Sequence, residues 1–347
     1  MTSDTVIGWD VGGAHLKAAR IDVSGRVEAV RQLSCPLWQG IHHLEAAVDQ
    51  AMIDLGQVAA HAITMTGEMV DLFPNRDAGV RQLVATMRER LPGRRLRFYA
   101  GEHGFLDPEQ ALLATPQLAS ANWIATASLV GATAGSALLI DIGSTTTDLI
   151  PVLAGRVVAH GRDDAARLVT GELLYTGVVR TPVMALADRA PFNGEWVPLI
   201  PEYFATAADL YRLTGQLPSD ADLHPAADNG EKTPSASARR LARMLGRDAE
   251  SAPHEAWKQL AEWLVRRQRR RIGEACDRVL CRSEIPANAP LVGAGTGRFL
   301  VAELARERGR QWLDFSSLVP GADAVRSQVS DCAPAVAVAW LAVRSSD

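Results

Sequence analysis

The stretch Leu138–Ile150, LLIDIGSTTTDLI, limits what this chain can fold into more than any other. Leu138–Ile142 is a short apolar run of the kind that fills a buried strand, yet Asp141 sits inside it. Gly143-Ser144 breaks the run, and Thr145–Ile150 resumes with β-branched residues that favour pleated structure. The pattern predicts a buried hairpin whose turn carries Gly143 and the hydroxyls of Ser144, Thr145, Thr146 and Thr147 between Asp141 and Asp148. A carboxylate inside an apolar strand is costly to bury without a partner. Turn N–H groups and hydroxyls can wrap an anion, and the carboxylates can hold Mg²⁺ against it. The plainer alternative is an ordinary polar hairpin turn.

The chain start repeats the theme. Thr5–Asp10 is a second short apolar strand ending in Asp, Val11–His15 is its turn, and Leu16–Asp22 returns as a strand. Gly12 and Gly13 let backbone approach a ligand closely. Lys17, one of three lysines in a strongly Arg-biased chain, can meet a phosphate as a point charge. A lone glycine-pair turn is weak evidence for a phosphate site, and two Asp-Gly-hydroxyl hairpins about 130 residues apart, each opening a possible domain half, are much stronger. The first half reads as strands at 26–33, 62–66 and 96–100 after the hairpin, with helices over 37–56, about 77–91 and about 118–134. In the second half, strands fall near 155–160, 173–179 and 289–292, with helices over 202–215, 235–246, 254–283 and 332–343. Gly293-Ala-Gly-Thr-Gly297 opens a helix over 298–309, where N–H groups and the positive helix end suit an anion or a nucleotide.

These three loops, in this order, resemble the phosphate-1, phosphate-2 and adenosine motifs of the actin/hexokinase/Hsp70 superfold, and the chain is similar to its hydantoinase/oxoprolinase-like branch. The segments TMTGEMVDLFPNR (64–76), SANWIATASLVG (120–131), GELLYTGVVRTPV (171–183), EYFATAADLYRLTG (202–215) and EKTPSASARRLARMLGRD (231–248) narrow the likeness further. They resemble the methanofuran-biosynthesis synthases of tetrahydromethanopterin-linked one-carbon metabolism, over nearly the whole chain. His15 departs from that family, in which Asn often follows the GGA of the first loop.

The resemblance implies a two-lobed actin/hexokinase-like, ribonuclease H-like duplicated fold with a cleft between the lobes. The N-terminal lobe would span 1–135 and the C-terminal lobe 136–347, the latter with a family-specific helical insertion at about 180–285. It also implies a cytoplasmic, Mg²⁺-dependent transferase. The reaction would condense 5-(aminomethyl)furan-3-ylmethyl diphosphate with the phenol oxygen of γ-glutamyltyramine, or a related tyrosine-derived phenol, and release diphosphate. ATP could bind but is not expected to be consumed. Asp10 and Asp141 would hold the metal, and Lys17, Gly12, Gly13, Gly143 and Ser144–Thr147 the diphosphate. Gly293, Gly295 and Gly297 would line the cofactor pocket, and Glu68 or Asp148 would accept the phenolic proton. An ATP-dependent kinase or hydantoinase/oxoprolinase-type amidohydrolase, and a nucleotide-binding sensor without turnover, stay open as alternatives.

Other residues are candidates with plainer readings beside them. Glu68 and Asp71 follow a strand at the sheet edge where α/β folds put ligands, although Asp71 can equally start a turn or cap a helix. His103 in a glycine-flanked loop is either a proton shuttle or solvated. Arg180 suits bidentate contact with a carboxylate or phosphate, or a structural ion pair. Tyr203, Phe204 and Tyr211 either wall an aromatic substrate or pack in the core. The Pro/Asp/Asn/Gly-rich run 218–234 reads as a surface loop able to act as a lid, with Lys232 reaching into the cleft.

Composition excludes several classes of function. A net charge of −4 and a pI near 6.1 give no reason to expect nucleic acid or anionic membrane, and Arg266–Arg271 reads as a solvated helix face. The partners expected are small molecules. The four cysteines show neither CxxC nor interleaved histidines, which argues against zinc and disulfides and fits a reducing cytosol. MTSDTVIGWD lacks the pattern of a signal peptide. Ala111–Ile140 carries no charge, but Pro116, Gln117, Asn122, Gly131 and Gly135 interrupt it, so a buried helix explains it better than a membrane span.

Overall fold

A computed structural model describes residues 5–58, 60–282 and 284–345. The apolar strand at the chain start becomes β1 (Val6–Val11), followed by β2 (His15–Ile21), β3 (Val27–Ser34), β4 (Ala60–Met65), β5 (Arg95–Tyr99) and β6 (Phe105–Leu106). They form one sheet in the order β3-β2-β1-β4-β5-β6. β1 runs antiparallel to β2 and parallel to β4, and β4 parallel to β5. Parallel neighbours need crossovers, supplied by the helices His42–Leu55 and Arg76–Arg90.

The second half builds β7 (Ala137–Ile142), β8 (Thr147–Leu153), β9 (Arg156–Val157) and β10 (Leu173–Leu174). Next come a separate hairpin of β11 (Arg189–Phe192) and β12 (Glu195–Pro198), then β13 (Leu291–Ala294) and β14 (Trp312–Asp314). Their main sheet runs β10-β8-β7-β13-β14. β7 repeats β1, with an antiparallel hairpin partner on one side and a parallel strand on the other. The repetition extends to register: Asp10 lies opposite Lys17, and Asp141 opposite Asp148. Each turn is closed by the same bond, from Gly12 N–H to the His15 carbonyl (3.1 Å) and from Gly143 N–H to the Thr146 carbonyl (2.9 Å).

The helices Asn122–Ala134 and Ala333–Arg344 lie between the two sheets and bury one apolar layer that both share, including Ile21 and Val30 from the first sheet and Leu139 and Val292 from the second. The last helix is apolar on every side (APAVAVAWLAVR), as a helix buried between two sheets must be. It sits directly on β1. A Cβ at Gly8 would lie 2.1 Å from the Ala335 carbonyl oxygen, so only glycine permits this approach. Each lobe adds its own core on the outer face of its sheet.

Several expected elements are shorter than the sequence implied. The helix expected over 202–215 covers Ala207–Leu213, because Thr206 and Asp209 form a capping box that starts it late. The one expected from 118 begins at Asn122, since Ser120 adopts a left-handed φ of 51°. Gly40, at φ 142°, divides the one expected over 37–56 into a short turn and the helix His42–Leu55. The strands expected at 155–160 and 173–179 shrink to two residues each. The hairpin β11–β12 was not foreseen.

The loop 218–234 is clamped by charge. Asp222 meets Arg212 at 2.5 Å and Lys232 at 3.4 Å, and Arg240 meets Asp228 at 3.0 Å and Asp209 at 2.8 Å. Lys232 is therefore committed within its own loop, which corrects its expected reach into the cleft. In the Arg-rich helix, Arg269 pairs with Glu303 and Arg270 with Glu274 at 2.8 Å, as on a solvated face. Among the described residues no helix is long and apolar enough to cross a membrane.

Gly8→Val is expected to lower stability by about 3 kcal/mol, the upper range for forced overpacking. Urea unfolding measures it, and an unchanged midpoint would mean that the last helix docks elsewhere.

Candidate active site

The two hairpin turns face each other across a cleft of about 630 Å³, within the size range of small-molecule sites. Asp10 and Asp141, at the strand ends, both point into it. Asp10 is 4% exposed, and its Oδ1 has no hydrogen-bond partner. Burial pushes its pKa up to about 6, against the pull of Lys17 and of a side-chain hydrogen bond from Asn122. Burial pushes Asp141 up to about 7; Lys17 lowers it, while Asp148 and Asp10 add like-charge repulsion. At Lys17, burial opposes the charge, but Asp10, Asp141 and Asp331 outweigh it and hold the ammonium above its usual range.

These carboxylates lack a sufficient counter-charge, and a divalent cation would supply one. Among the described residues no group of three or more His, Cys, Asp or Glu side chains is arranged to hold a metal. An ion here would therefore rest on Asp10 and Asp141 and draw its remaining oxygens from water and ligand, which is the habit of Mg²⁺. The donor set fits that ion.

Gly12, Gly13, Gly143, Ser144, Thr145 and Thr146 line the cleft as expected. The second turn is held from behind, by Val178 N–H to the Gly143 carbonyl (3.1 Å) and Arg180 N–H to the Ser144 carbonyl (2.8 Å). Asp148 also lines the cleft and is ion-paired with Arg167, a residue 1% exposed whose guanidinium lies 4.2 Å from the centre of the Trp123 ring. Burial raises the Asp148 pKa, and Arg167 restrains the rise.

Five residues expected at the site do not line the cleft: Thr147, Gly293, Gly295, Gly297 and Glu68. Thr147 is fully buried on the opposite face of β8 and donates its hydroxyl to the Thr176 carbonyl at 2.6 Å, so it offers nothing to a phosphate. None of Gly293, Gly295 and Gly297 lines the cleft. Gly295 N–H bonds the Ser330 carbonyl (2.7 Å) and Gly297 N–H the Ile142 carbonyl (2.8 Å), so these donors are spent inside the protein. A Cβ at Gly295 would come within 2.3 Å of Asp141 Oδ1, which shows what the glycine does: it makes room for that carboxylate.

Glu68 is fully buried behind the cleft wall, where Ser120 Oγ donates to its Oε1 at 2.7 Å and also lies 3.2 Å from Asp164 Oδ2. Burial raises the Glu68 pKa, and the Ser120 hydrogen bond lowers it. Ser120 and Asp164 are the members of this group that line the cleft, and Asp164 is paired with Arg76 at 2.7 Å. Tyr211 is a core residue whose hydroxyl donates to Gln268 at 2.8 Å.

Asp71 lines the cleft, His103 is exposed away from it, Tyr203 is half exposed and Phe204 packs against the core. The sequence reading singled out none of Trp38, Asn122, Trp123, Asp164, Arg167 and His224. For two of them a local signal existed, the Asp164 and Arg167 spacing that puts both on one side of the helix Asp164–Thr170.

The sequence profile of the hydantoinase/oxoprolinase family matches residues 59–339. The chain belongs to this family. Within known proteins it is similar to a (4-{4-[2-(γ-L-glutamylamino)ethyl]phenoxymethyl}furan-2-yl)methanamine synthase of Methanocaldococcus jannaschii, 26% identical over 343 residues, covering 99% of this chain and 98% of that one. A protein of Methanococcus vannielii with the same name is 41% identical over 73 residues, 21% of this chain and 32% of that one. Among solved structures, a nucleotide-free acetone carboxylase is similar with a TM-score of 0.56 at 10% identity, over 86% of this chain and 66% of that one. That likeness speaks for the fold alone, and the fold is the two-lobed actin/hexokinase-like one.

The raised carboxylates fix the sign of a stability test. A carboxylate whose folded pKa lies above its unfolded value costs stability as pH rises between the two, and the full cost is present above the folded value. For Asp141 that window runs from about 4 to about 7. Asp141→Asn is therefore expected to raise the thermal midpoint of the ligand-free protein at about pH 8 by a few degrees while changing it little near pH 4. Differential scanning calorimetry at both pH values checks this; equal shifts would remove the electrostatic account.

Proposed function

We propose that this chain is a transferase that joins 5-(aminomethyl)furan-3-ylmethyl diphosphate to the phenol oxygen of γ-glutamyltyramine, or a related tyrosine-derived phenol, with release of diphosphate. The ether formed with γ-glutamyltyramine is the compound in the names of both archaeal relatives. The observation that carries the reading is the pair of glycine hairpins facing one cleft, with Asp10, Asp141 and Lys17 at their bases.

In the reaction the bond between the furan methylene and the diphosphate oxygen breaks, and its electron pair leaves on diphosphate. The electron-rich furan spreads the positive charge on the methylene carbon, the phenol oxygen forms the new C–O bond, and the phenolic proton departs. Lys17, the turn N–H groups and the hydroxyls of Ser144, Thr145 and Thr146 hold the leaving diphosphate. Asp10 and Asp141 would hold Mg²⁺, which supplies positive charge against the departing group. Asp148 takes the proton, since it faces the cleft, burial makes it more basic than an ordinary aspartate, and Arg167 fixes its orientation. Glu68 lies behind Ser120 and acts on the cleft only through that hydroxyl.

Lys17 tests the diphosphate part of this reading. Lys17→Ala is expected to cut turnover by about 10²-fold or more. Lys17→Arg should recover little, because a planar fork replaces a point charge. Wild-type kinetics in Lys17→Ala would leave it a residue of β2 without a part in the reaction.

The competing reading is an ATP-consuming kinase or amidohydrolase. The bond broken in the proposed reaction already carries its leaving group, so ATP hydrolysis adds no driving force that the chemistry lacks. Purified protein with Mg²⁺, the furan diphosphate and the phenol, with ATP enzymatically removed, should form ether and diphosphate in equal amounts. An absolute need for ATP, with ADP or AMP released per turnover, would move the protein to the competing class.

A further inference from the structure

Among the described residues three cationic side chains line the cleft, Lys17, Arg167 and Arg180. Two of them are committed: Arg167 is paired with Asp148, and Lys17 answers Asp10 and Asp141. Arg180 meets no carboxylate among the described residues. It is half buried, and burial lowers its pKa, with only Tyr203 working the other way. A guanidinium that gives up water without gaining a counter-ion is costly until a ligand brings the negative charge.

The segment that carries Arg180 is fastened to the second hairpin turn. Arg180 N–H bonds the Ser144 carbonyl at 2.8 Å, and Val179 N–H bonds the same carbonyl at 3.1 Å. Gly177 permits this approach, since a Cβ there would lie 2.5 Å from both the Gly143 carbonyl oxygen and the Thr145 nitrogen. The side chain then reaches over the same turn, with Nη1 3.5 Å from Thr145 Oγ1, and most of its N–H donors stay free among the described residues. Its guanidinium lies 4.7 Å from the centre of the Trp38 ring, whose π-face steadies the cation without using those donors. Trp38 also lines the cleft and is tied to the first turn, because the N–H of its neighbour Leu37 bonds the Gly13 carbonyl at 3.0 Å.

Each turn therefore has a cation of its own. Lys17 follows the first turn on β2, opposite Asp10, and Arg180 is anchored on the second. Two phosphoryl groups joined through one oxygen match two turns with one cation each. When the bond to the furan methylene breaks, its electron pair stays on the diphosphate, so the negative charge to be held grows during the reaction. Lys17 is already shared between two aspartates, which leaves Arg180 as the cleft cation free to take up that charge, and its planar fork suits phosphoryl oxygens. We propose that Arg180 holds one phosphoryl group of the departing diphosphate at the second turn while Lys17 holds the other at the first, and that Arg180 thereby selects a diphosphate over a monophosphate. This rests on the transferase function proposed above and adds to it the residue that recognises the second phosphoryl group.

The test is calorimetric titration of inorganic diphosphate and of inorganic phosphate, each with Mg²⁺, into the purified full chain. Wild-type protein should bind diphosphate more tightly than phosphate. Arg180→Gln should weaken diphosphate roughly 10- to 100-fold and leave phosphate, which Lys17 and the first turn still hold, unchanged. An arginine that only braced the turn would weaken both anions alike. That outcome, an unchanged diphosphate affinity, or a wild type without preference for diphosphate would each overturn the assignment. Circular dichroism checks folding. Where Arg180→Gln misfolds, Arg180→Lys replaces it, and the loss for diphosphate should shrink to roughly 3- to 10-fold, since the charge stays and the fork goes. With the furan diphosphate and the phenol, Arg180→Gln should lower kcat roughly 10- to 100-fold and leave KM for the phenol unchanged. If the anions rank as expected while no ether forms, Arg180 stands as a diphosphate-binding residue and the transferase reading falls. Ether formed by Arg180→Gln at the wild-type rate gives the reverse.

Discussion

Three carboxylates meet where the hairpins converge, and with Arg167 paired to Asp148 the Lys17 ammonium is left to balance both Asp10 and Asp141. Asp10, Asp141 and Asp148 are all pushed up by burial, and Lys17 is the shared cation acting on each. One pKa unit corresponds to about 1.4 kcal/mol, so the raised values at Asp10 and Asp141 represent a cost comparable with a large part of a domain's net stability of about 5–15 kcal/mol. A chain folding for stability alone would replace them with apolar residues. The ladder is rigid enough to hold them: β1 is hydrogen-bonded on both sides and covered by the last helix at Gly8, and β7 lies between β8 and β13. That rigidity lets the strand ends store an electrostatic demand that a cation and its ligand can meet.

The third glycine loop serves the same demand from behind. It resembles an adenosine-binding motif, but its N–H groups at Gly295 and Gly297 bond within the protein, and the absence of a side chain at Gly295 leaves space for Asp141. Arg298 locks the loop in place through Asp314, Asp331 and the Gly295 carbonyl. A motif that cradles a base in one member of a superfold can thus support a carboxylate in another, because close backbone approach is the property that glycine supplies in both.

Where the sequence was legible, short-range physics made it so. The Asp-Gly hairpins and the apolar last helix each follow from a local pattern. Thr147 was misread although a local rule could have placed it: neighbours on a strand point to opposite faces, so if Asp148 faces the cleft, Thr147 cannot. Ser120, Asp164 and His224 are a different case. They reach the site from distant parts of the chain, and Ser120 does so through a left-handed backbone that no neighbouring residue announces. That Arg180 lacks a carboxylate is equally a property of the folded chain, since the sequence holds acidic residues enough for many other pairings.

The same distant residues also close the cleft. On one side Arg76 and Ser120 of the first lobe meet Asp164 of the second; on the other, His15 and Trp38 meet His224. Neither closure is strong. Arg76 is partly exposed, so its ion pair is screened and worth on the order of 1 kcal/mol or less, and ring contacts of the second kind contribute about as much. Against that, the shared helical layer ties the lobes together far from the rim. The lobes are thus joined firmly at the base and lightly at the mouth, the arrangement that lets a two-lobed protein open for bulky ligands without disturbing the strand ends where the charges are held. Because each light closure includes a residue that lines the cleft, Asp164 on one side and His15 and Trp38 on the other, a ligand that fills the cleft meets both closures.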